Sequence, residues 1–177
     1  LAQHPAYLKR VLQEQECLLP SGSEPTLENL KRMTVLEHAL NEAERLYPPL
    51  STGPRGTTEA FEFHGYTIPA GSAVCYSIAA THLLASVFAN PLQFDPDRFL
   101  PPREEHKKTP FALVGFGGGP RTCIAANFVG IDIKALLCSL LQTYRIEALP
   151  ACQPTQDYRS GIGIPRHGLQ MHVTRNT

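Results

Sequence analysis

Nothing in the 177-residue sequence supplies a net charge: sixteen Lys and Arg offset sixteen Asp and Glu, and the basic residues form no block of the kind that tracks phosphates. A nucleic-acid partner is therefore not expected. Apolar runs of membrane-spanning length are missing, and the first residues do not make a secretory signal. Paired cysteine spacing is missing as well. The five cysteines are an odd number, which argues against a disulfide framework or zinc site and for a reducing compartment, with Cys17, Cys75, Cys138 and Cys152 as structural thiols. Internal repeats and low-complexity tracts are absent. What remains is a chain long enough for one domain with a real core.

The most informative stretch is Phe111-Ala-Leu-Val-Gly-Phe-Gly-Gly-Gly-Pro-Arg-Thr-Cys-Ile-Ala125. Three consecutive glycines at 117, 118 and 119 free the backbone to approach a flat ligand, and Pro120 stiffens it. Cys123 stands before the apolar run Ile124 to Leu141, which reads as a helix buried on nearly every side. At that place the positive end of the helix dipole and the loop's free amides would favour a thiolate, the form that binds metal. Two other readings stay open on the residues alone. A free cysteine is often a small buried hydrophobe, and glycine loops before helices also cradle phosphates. For the latter, Gly115-x-Gly117-x-x-Pro120 has proline in place of the third glycine of a dinucleotide fingerprint.

Elsewhere the pattern predicts alternating short elements. His4-Pro5 opens a helix with an apolar stripe of Leu8, Val11 and Leu12, and Ser21 to Pro25 is a loop. Thr34 and Glu37 read as a capping box that starts a helix at Val35. Its apolar face is Leu36, Ala39, Leu40 and Ala43, with Glu42 and Arg45 meeting on the other face, and Pro48-Pro49 stops it. Leu50 to Pro54 reads as a loop, Phe61–Phe63 and Tyr66–Ile68 as a hairpin around His64-Gly65, and Ser72 to Ile78 as a third strand. His64 and His82 read as turn and loop histidines serving solvent and backbone. Phe88 to Phe99 is irregular chain with aromatic anchors, and Arg103 to Lys108 is a charged surface run. Tyr144–Glu147 and Leu169–Val173 alternate as strands on either side of Ser160-Gly-Ile-Gly163.

The arrangement Phe116-x-x-Gly119-x-Arg121-x-Cys123 resembles the haem-binding loop of the cytochrome P-450 family of haem-thiolate monooxygenases. Glu42-x-x-Arg45 before Arg-Leu-Tyr-Pro-Pro, and Pro96-Asp-Arg98-Phe, are similar to two further family motifs. The resemblance covers essentially the whole chain. It implies Cys123 as axial ligand of haem b (iron protoporphyrin), Phe116 packed beside the sulfur, Gly119 in the loop, and Arg121 and Arg55 near haem propionates. It also implies a buried structural triad of Glu42, Arg45 and Arg98. The family commonly has glycine where Ala125 stands, and His-Arg-Asp-Pro where His82-Leu-Leu-Ala85 stands.

The fold the resemblance implies is mainly α with a small mixed β-sheet, the C-terminal part of the cytochrome P-450 architecture. Residues 1–177 would form one haem-binding portion, without the distal oxygen-activating helix of the N-terminal half. The implied activity is insertion of an oxygen atom into a small apolar substrate, with Ser51, Thr52 and Ile162 facing it. A ferredoxin or flavoprotein reductase would donate electrons near Lys107 and Lys108. The parent would be cytoplasmic or a peripheral membrane protein. By itself the piece is expected to be inactive. The alternatives are a non-catalytic truncated remnant and a nucleotide-binding module built on the glycine loop.

Overall fold

The computed structural model describes residues 1–20, 23–149 and 155–176. Four helices make the core. Helix α1 (Pro5–Leu18) has Pro5 in its first turn, where a missing amide hydrogen costs nothing, and buries Tyr7, Val11 and Gln15. Its polar members are satisfied: the Tyr7 hydroxyl donates to the Val35 carbonyl at 3.1 Å, and Gln15 Nε2 donates to the Cys138 carbonyl at 2.9 Å. Helix α2 (Leu27–Arg32) was not legible as a helix, being too short to show a period. It starts on a capping box between Thr26 and Asn29, and Asn29 also donates to the Leu18 carbonyl at the end of α1.

Helix α3 (Thr34–Leu46) corrects two expectations. The Thr34–Glu37 capping box does not form. Glu14 of α1 caps the helix instead, its carboxylate accepting from the Val35 amide at 2.7 Å and the Leu36 amide at 3.0 Å. A two-oxygen anion set against the positive helix end outcompetes a local hydroxyl. Glu37 is left free to pair with Lys134 at 2.8 Å. The buried stripe is also different: it runs Leu36, Ala39, Glu42, Arg45, a spacing of three that carries an apolar face into a charged one.

Helix α5 (Ala126–Thr143) is reached after the short helix α4 (Ile78–His82) and a long irregular segment. The expectation that it is buried on nearly every side fails: only Lys134, Cys138 and Leu141 are buried, while Ile124 just before it is fully exposed and Phe128 is 72 % exposed. Overall apolarity predicts burial only where a neighbour exists to cover the face. The core proper joins Tyr7, Val11, Leu30, Met33, Leu36, Ala39, Cys138 and Leu141 between α1, α2, α3 and α5.

The strands pair in four separate two-stranded antiparallel ladders. Strand β1 (Thr52–Gly56) lies where a loop was expected, and pairs with β4 (Ala73–Ser77) so that Gly53 faces Tyr76 and Arg55 faces Val74. Strands β2 (Phe61–Phe63) and β3 (Tyr66–Ile68) form the expected hairpin, with His64 and Gly65 both at positive φ, 47° and 83°. Strand β5 (Tyr144–Ala148) pairs with β8 (Met171–Arg175), and β6 (Gln156–Asp157) with β7 (Ile164–Pro165). Among the described residues no helix is long and apolar enough to cross a membrane. Cys17 and Cys75 are exposed free thiols and Cys138 a buried one, while Cys152 lies outside the described residues.

Candidate functional site

The glycine loop closes on itself before it reaches the cysteine. The Gly117 amide donates to the Val114 carbonyl, and the Cys123 amide to the Phe116 carbonyl, both at 2.8 Å. Gly117 and Gly119 sit at φ of 77° and 68°, where a β-carbon would strain the backbone. Gly118 is needed for a different reason: a β-carbon there would meet the Phe111 ring at 2.6 Å. Cys123 is exposed at the end of this turn, Phe116 is half-buried, and Arg121 is exposed with no carboxylate partner among the described residues. Helix α5 starts at Ala126, three residues after Cys123, and its first amide donates to the Cys123 carbonyl at 3.3 Å.

Arg55 reaches the same place from β1. Its Nη1 donates to the Pro54 carbonyl at 2.8 Å and its Nη2 to the Tyr76 hydroxyl at 3.3 Å, with the guanidinium stacked on the Tyr76 ring at 5.4 Å. No carboxylate touches it among the described residues. Tyr76 was missed in the sequence. Its ring lies where a β-carbon on Gly53 would be, so the glycine makes room for the tyrosine that holds Arg55. Beside the loop an open cavity of about 440 Å³ is lined by Arg55, Tyr76, Leu84, Val87, Phe111 and Val114. Ser51 and Thr52 lie at the start of β1, and the turn bearing Ile162 comes to the same end of α3, with the Gly163 amide donating to the Pro49 carbonyl at 2.6 Å.

Behind the loop lies a closed cluster of charge. Glu42, Arg45 and Arg98 have no exposed surface. Arg45 forks onto both oxygens of Glu42 at 2.7 and 2.9 Å, and Arg98 Nε donates to Glu42 at 3.1 Å. Their remaining hydrogens go to backbone carbonyls: Arg45 to those of His82, Pro91 and Gln93, Arg98 to those of Ala89 and Gln93. The structure adds a fourth member from the run expected at the surface. Glu105 is buried, accepts from Arg98 Nη1 at 2.6 Å, and brings the cluster to two carboxylates against two guanidiniums. Burial pushes the Glu105 carboxyl up, but the Arg103 and Arg98 guanidiniums outweigh it and hold the group below the ordinary carboxylate range. The density of charge along Arg103 to Lys108 hid it, since a buried glutamate in an irregular segment has no periodicity to betray it.

His82 is a second correction. Expected in a solvated loop, it is completely buried, and burial pushes its pKa down to about 4. Its Nε2 accepts from the Val114 amide at 2.9 Å, which leaves the ring proton on Nδ1, turned toward the backbone of Glu44 and Arg45 in α3. Glu44, packed against Gly115 of the loop, is pushed up by burial to about 7. His64, by contrast, does sit in the expected hairpin turn.

The residues present suit a flat, largely apolar group with acidic edges and a metal centre. The cysteine offers sulfur, the loop offers bare backbone, the cavity wall is largely apolar, and two guanidiniums lack carboxylates among the described residues. A family model described as cytochrome P-450 matches residues 1–173. The chain is 35 % identical over 160 residues to the sterol 14alpha-demethylase of Mycolicibacterium vanbaalenii, covering 90 % of this chain and 35 % of that one. It is 38 % identical over 154 residues to cytochrome P-450 26B1 of Bos taurus, covering 83 % of this chain and 30 % of that one. A solved structure of cyanobacterial CYP120A1 with retinoic acid bound superposes with a TM-score of 0.91 at 33 % identity, covering 99 % of this chain and 40 % of that one. The chain thus spans about a third of the length of the curated relatives it matches.

Proposed function

The chain belongs to the cytochrome P-450 family, and from that premise we propose that it is the haem-thiolate portion of a monooxygenase that inserts one oxygen atom into a small apolar substrate. The observation that carries the reading is the exposed Cys123 at the end of a loop closed by its own amide, with Arg55 and Arg121 at the same loop, neither of which has an acid partner among the described residues. Cys123 would supply the axial ligand to haem b, with Phe116 packed beside the sulfur and the bare backbone of Gly117 to Gly119 allowing close approach. Arg55 and Arg121 would take the two propionates, a task for which the planar fork suits arginine better than lysine. Bound there, haem supplies oxygen activation, and a thiolate donor favours O–O cleavage more than an imidazole does.

What the chain's own residues contribute is position and shelter. Tyr76 fixes the Arg55 fork, and the buried cluster of Glu42, Arg45, Arg98 and Glu105 holds α3 against the segment that leads to the loop. The cavity wall of Leu84, Val87 and Phe111 turns water away from one side. Ser51, Thr52 and Ile162 would meet the substrate. The apolar character of that wall, and the relative that holds retinoic acid, support a largely apolar substrate over a polar one. Lys107 and Lys108, both exposed, would meet an acidic ferredoxin or flavoprotein reductase. Reversing their charge should slow reduction in a salt-sensitive way, and an unchanged rate removes this docking role.

A second reading, a remnant that keeps the haem loop without catalysis, draws on Leu83 and Leu84, exposed residues that stand where the family commonly has charged ones. A carbon monoxide difference spectrum of the reduced, haem-supplemented chain tests both. A thiolate-type band that disappears in Cys123→Ser supports haem-thiolate binding, and substrate oxidation by the same sample separates enzyme from remnant. The absence of any band, or a band indifferent to Cys123→Ser, overturns the reading.

A further inference from the structure

Four hydrogen bonds run in series from the buried charge cluster to the cysteine. Arg45 Nη1 donates to the His82 carbonyl at 2.9 Å. The Val114 amide donates to His82 Nε2 at 2.9 Å. The Val114 carbonyl accepts from the Gly117 amide and the Phe116 carbonyl from the Cys123 amide, each at 2.8 Å. We infer that His82 is a positioning residue for Cys123, setting through the Val114 amide the turn on which the cysteine loop closes. This inference rests on the haem-thiolate reading of Cys123, because only a ligand role makes the exact placing of that sulfur matter.

The physical case starts at Val114, which is buried and lies in no strand, so its amide has no ladder to join. A buried amide left unpaired is costly, and the peptide would rotate toward any other acceptor. The Val114 carbonyl belongs to the next peptide unit, so the loss reaches it through the φ and ψ of Val114, whose change would move that carbonyl away from Gly117 and with it the Phe116 carbonyl that holds Cys123. An imidazole with no exposed surface is well suited to prevent this. It is rigid, it offers a single in-plane acceptor, and it stays uncharged because burial disfavours the cation. Arg45 fixes the histidine's backbone in turn, and Arg45 is immobilised by Glu42. Glu44 seats the adjoining Gly115 from the same helix. The ligand loop is thereby referenced to α3, the helix that carries the buried Glu42 and Arg45.

Substitution separates positioning from mere filling of space. His82→Gln keeps an acceptor near the place of Nε2, while His82→Leu fills the site and offers none. Amide hydrogen exchange in the chain without haem is compared at Val114, at Cys123 and at Leu36, whose amide is held by Glu14 far from the loop. The expected result is exchange at Val114 and Cys123 at least about tenfold faster in His82→Leu, restored in His82→Gln, with Leu36 unaffected. In the haem-loaded protein the reduced carbon monoxide band should lose thiolate character in His82→Leu and regain it in His82→Gln. If Leu36 reveals general unfolding of His82→Leu, His82→Asn takes its place, polar but too short to reach Val114. Unchanged exchange at Cys123 in the variant lacking the acceptor, or no recovery with glutamine, overturns the role of His82. A wild-type chain without a thiolate-type band removes the haem-thiolate reading instead, while exchange at Cys123 still decides whether His82 holds the loop.

Discussion

Two regions of the chain carry charge in opposite ways. Around α3, two carboxylates and two guanidiniums are shut away from water and matched to one another and to backbone carbonyls. At the cysteine loop, Arg55 and Arg121 have no carboxylate partner among the described residues, and the adjoining Ile124 and Phe128 lie open to solvent. The first arrangement is complete within the described residues, since every strong donor has its acceptor. Under the proposed reading, the second is complementary to an acid-edged, apolar, metal-bearing group. The contrast teaches that ionic residues of one chain divide by whether their partners are internal, and that those without internal partners are the ones to assign to binding.

The sharpest break in this comparison is Glu42→Ala, which leaves two buried guanidiniums facing each other. It is expected to cost about 3–5 kcal/mol of stability and with it the capacity to retain haem. Chemical denaturation together with haem content measures both, and normal values would make the pair an ordinary surface contact. Glu105→Gln is expected to cost roughly 2 kcal/mol, because Arg98 keeps Glu42 but loses a charge-assisted bond. A neutral outcome in the same denaturation experiment would return Glu105 to the solvated run.

The pH dependence of stability sharpens the contrast further. His82 is held at about 4 against an ordinary 6.5, so the unfolded chain takes up the proton first and acidification between pH 6.5 and 4 costs stability. Glu44 is held at about 7 against 4.5, so the folded chain keeps a proton that the unfolded chain releases, and acidification from pH 7 to 4.5 adds stability. Each slope is about 1.4 kcal/mol per pH unit, with opposite sign, and where the windows overlap they cancel. Relative to wild type, His82→Gln should therefore gain stability on acidification from pH 6.5 and Glu44→Gln should lose it. Denaturant midpoints at several pH values read the two slopes, and equal slopes in both variants would remove this account.

The smallest effect on stability is expected at the loop. Arg55→Ala should shift stability by no more than about 0.5 kcal/mol, since its partners among the described residues are Tyr76 and its neighbour's carbonyl. Haem affinity should nevertheless fall roughly tenfold, about 1.4 kcal/mol. Titration of the chain with haem measures this. A large loss of stability without loss of affinity would place Arg55 with the internal group.

Legibility followed range. The hairpin at His64-Gly65 and the proline start of α1 were readable because neighbouring residues alone impose them. The Glu42-x-x-Arg45 spacing showed that the two side chains meet, but not that the face they share is buried. The cap of α3 was misread because Thr34 and Glu37 satisfy the local rule while Glu14, twenty positions before Thr34, satisfies it better. Glu105, His82 and Tyr76 left no sequence signal. Each acquires its role from a partner brought up by another element: Arg98, the Val114 amide and Gly53 respectively.

The order of glycines, arginine and cysteine in the loop, and with it the family, was determined by sequence alone, because backbone freedom and ligand chemistry are properties of single residues at set spacings. Which charges are buried, which histidine is neutral and which face of α5 stays open were decided only by the tertiary structure. Burial depends on which surfaces are brought into contact, and the cost of removing a charge from water is set by all its neighbours at once.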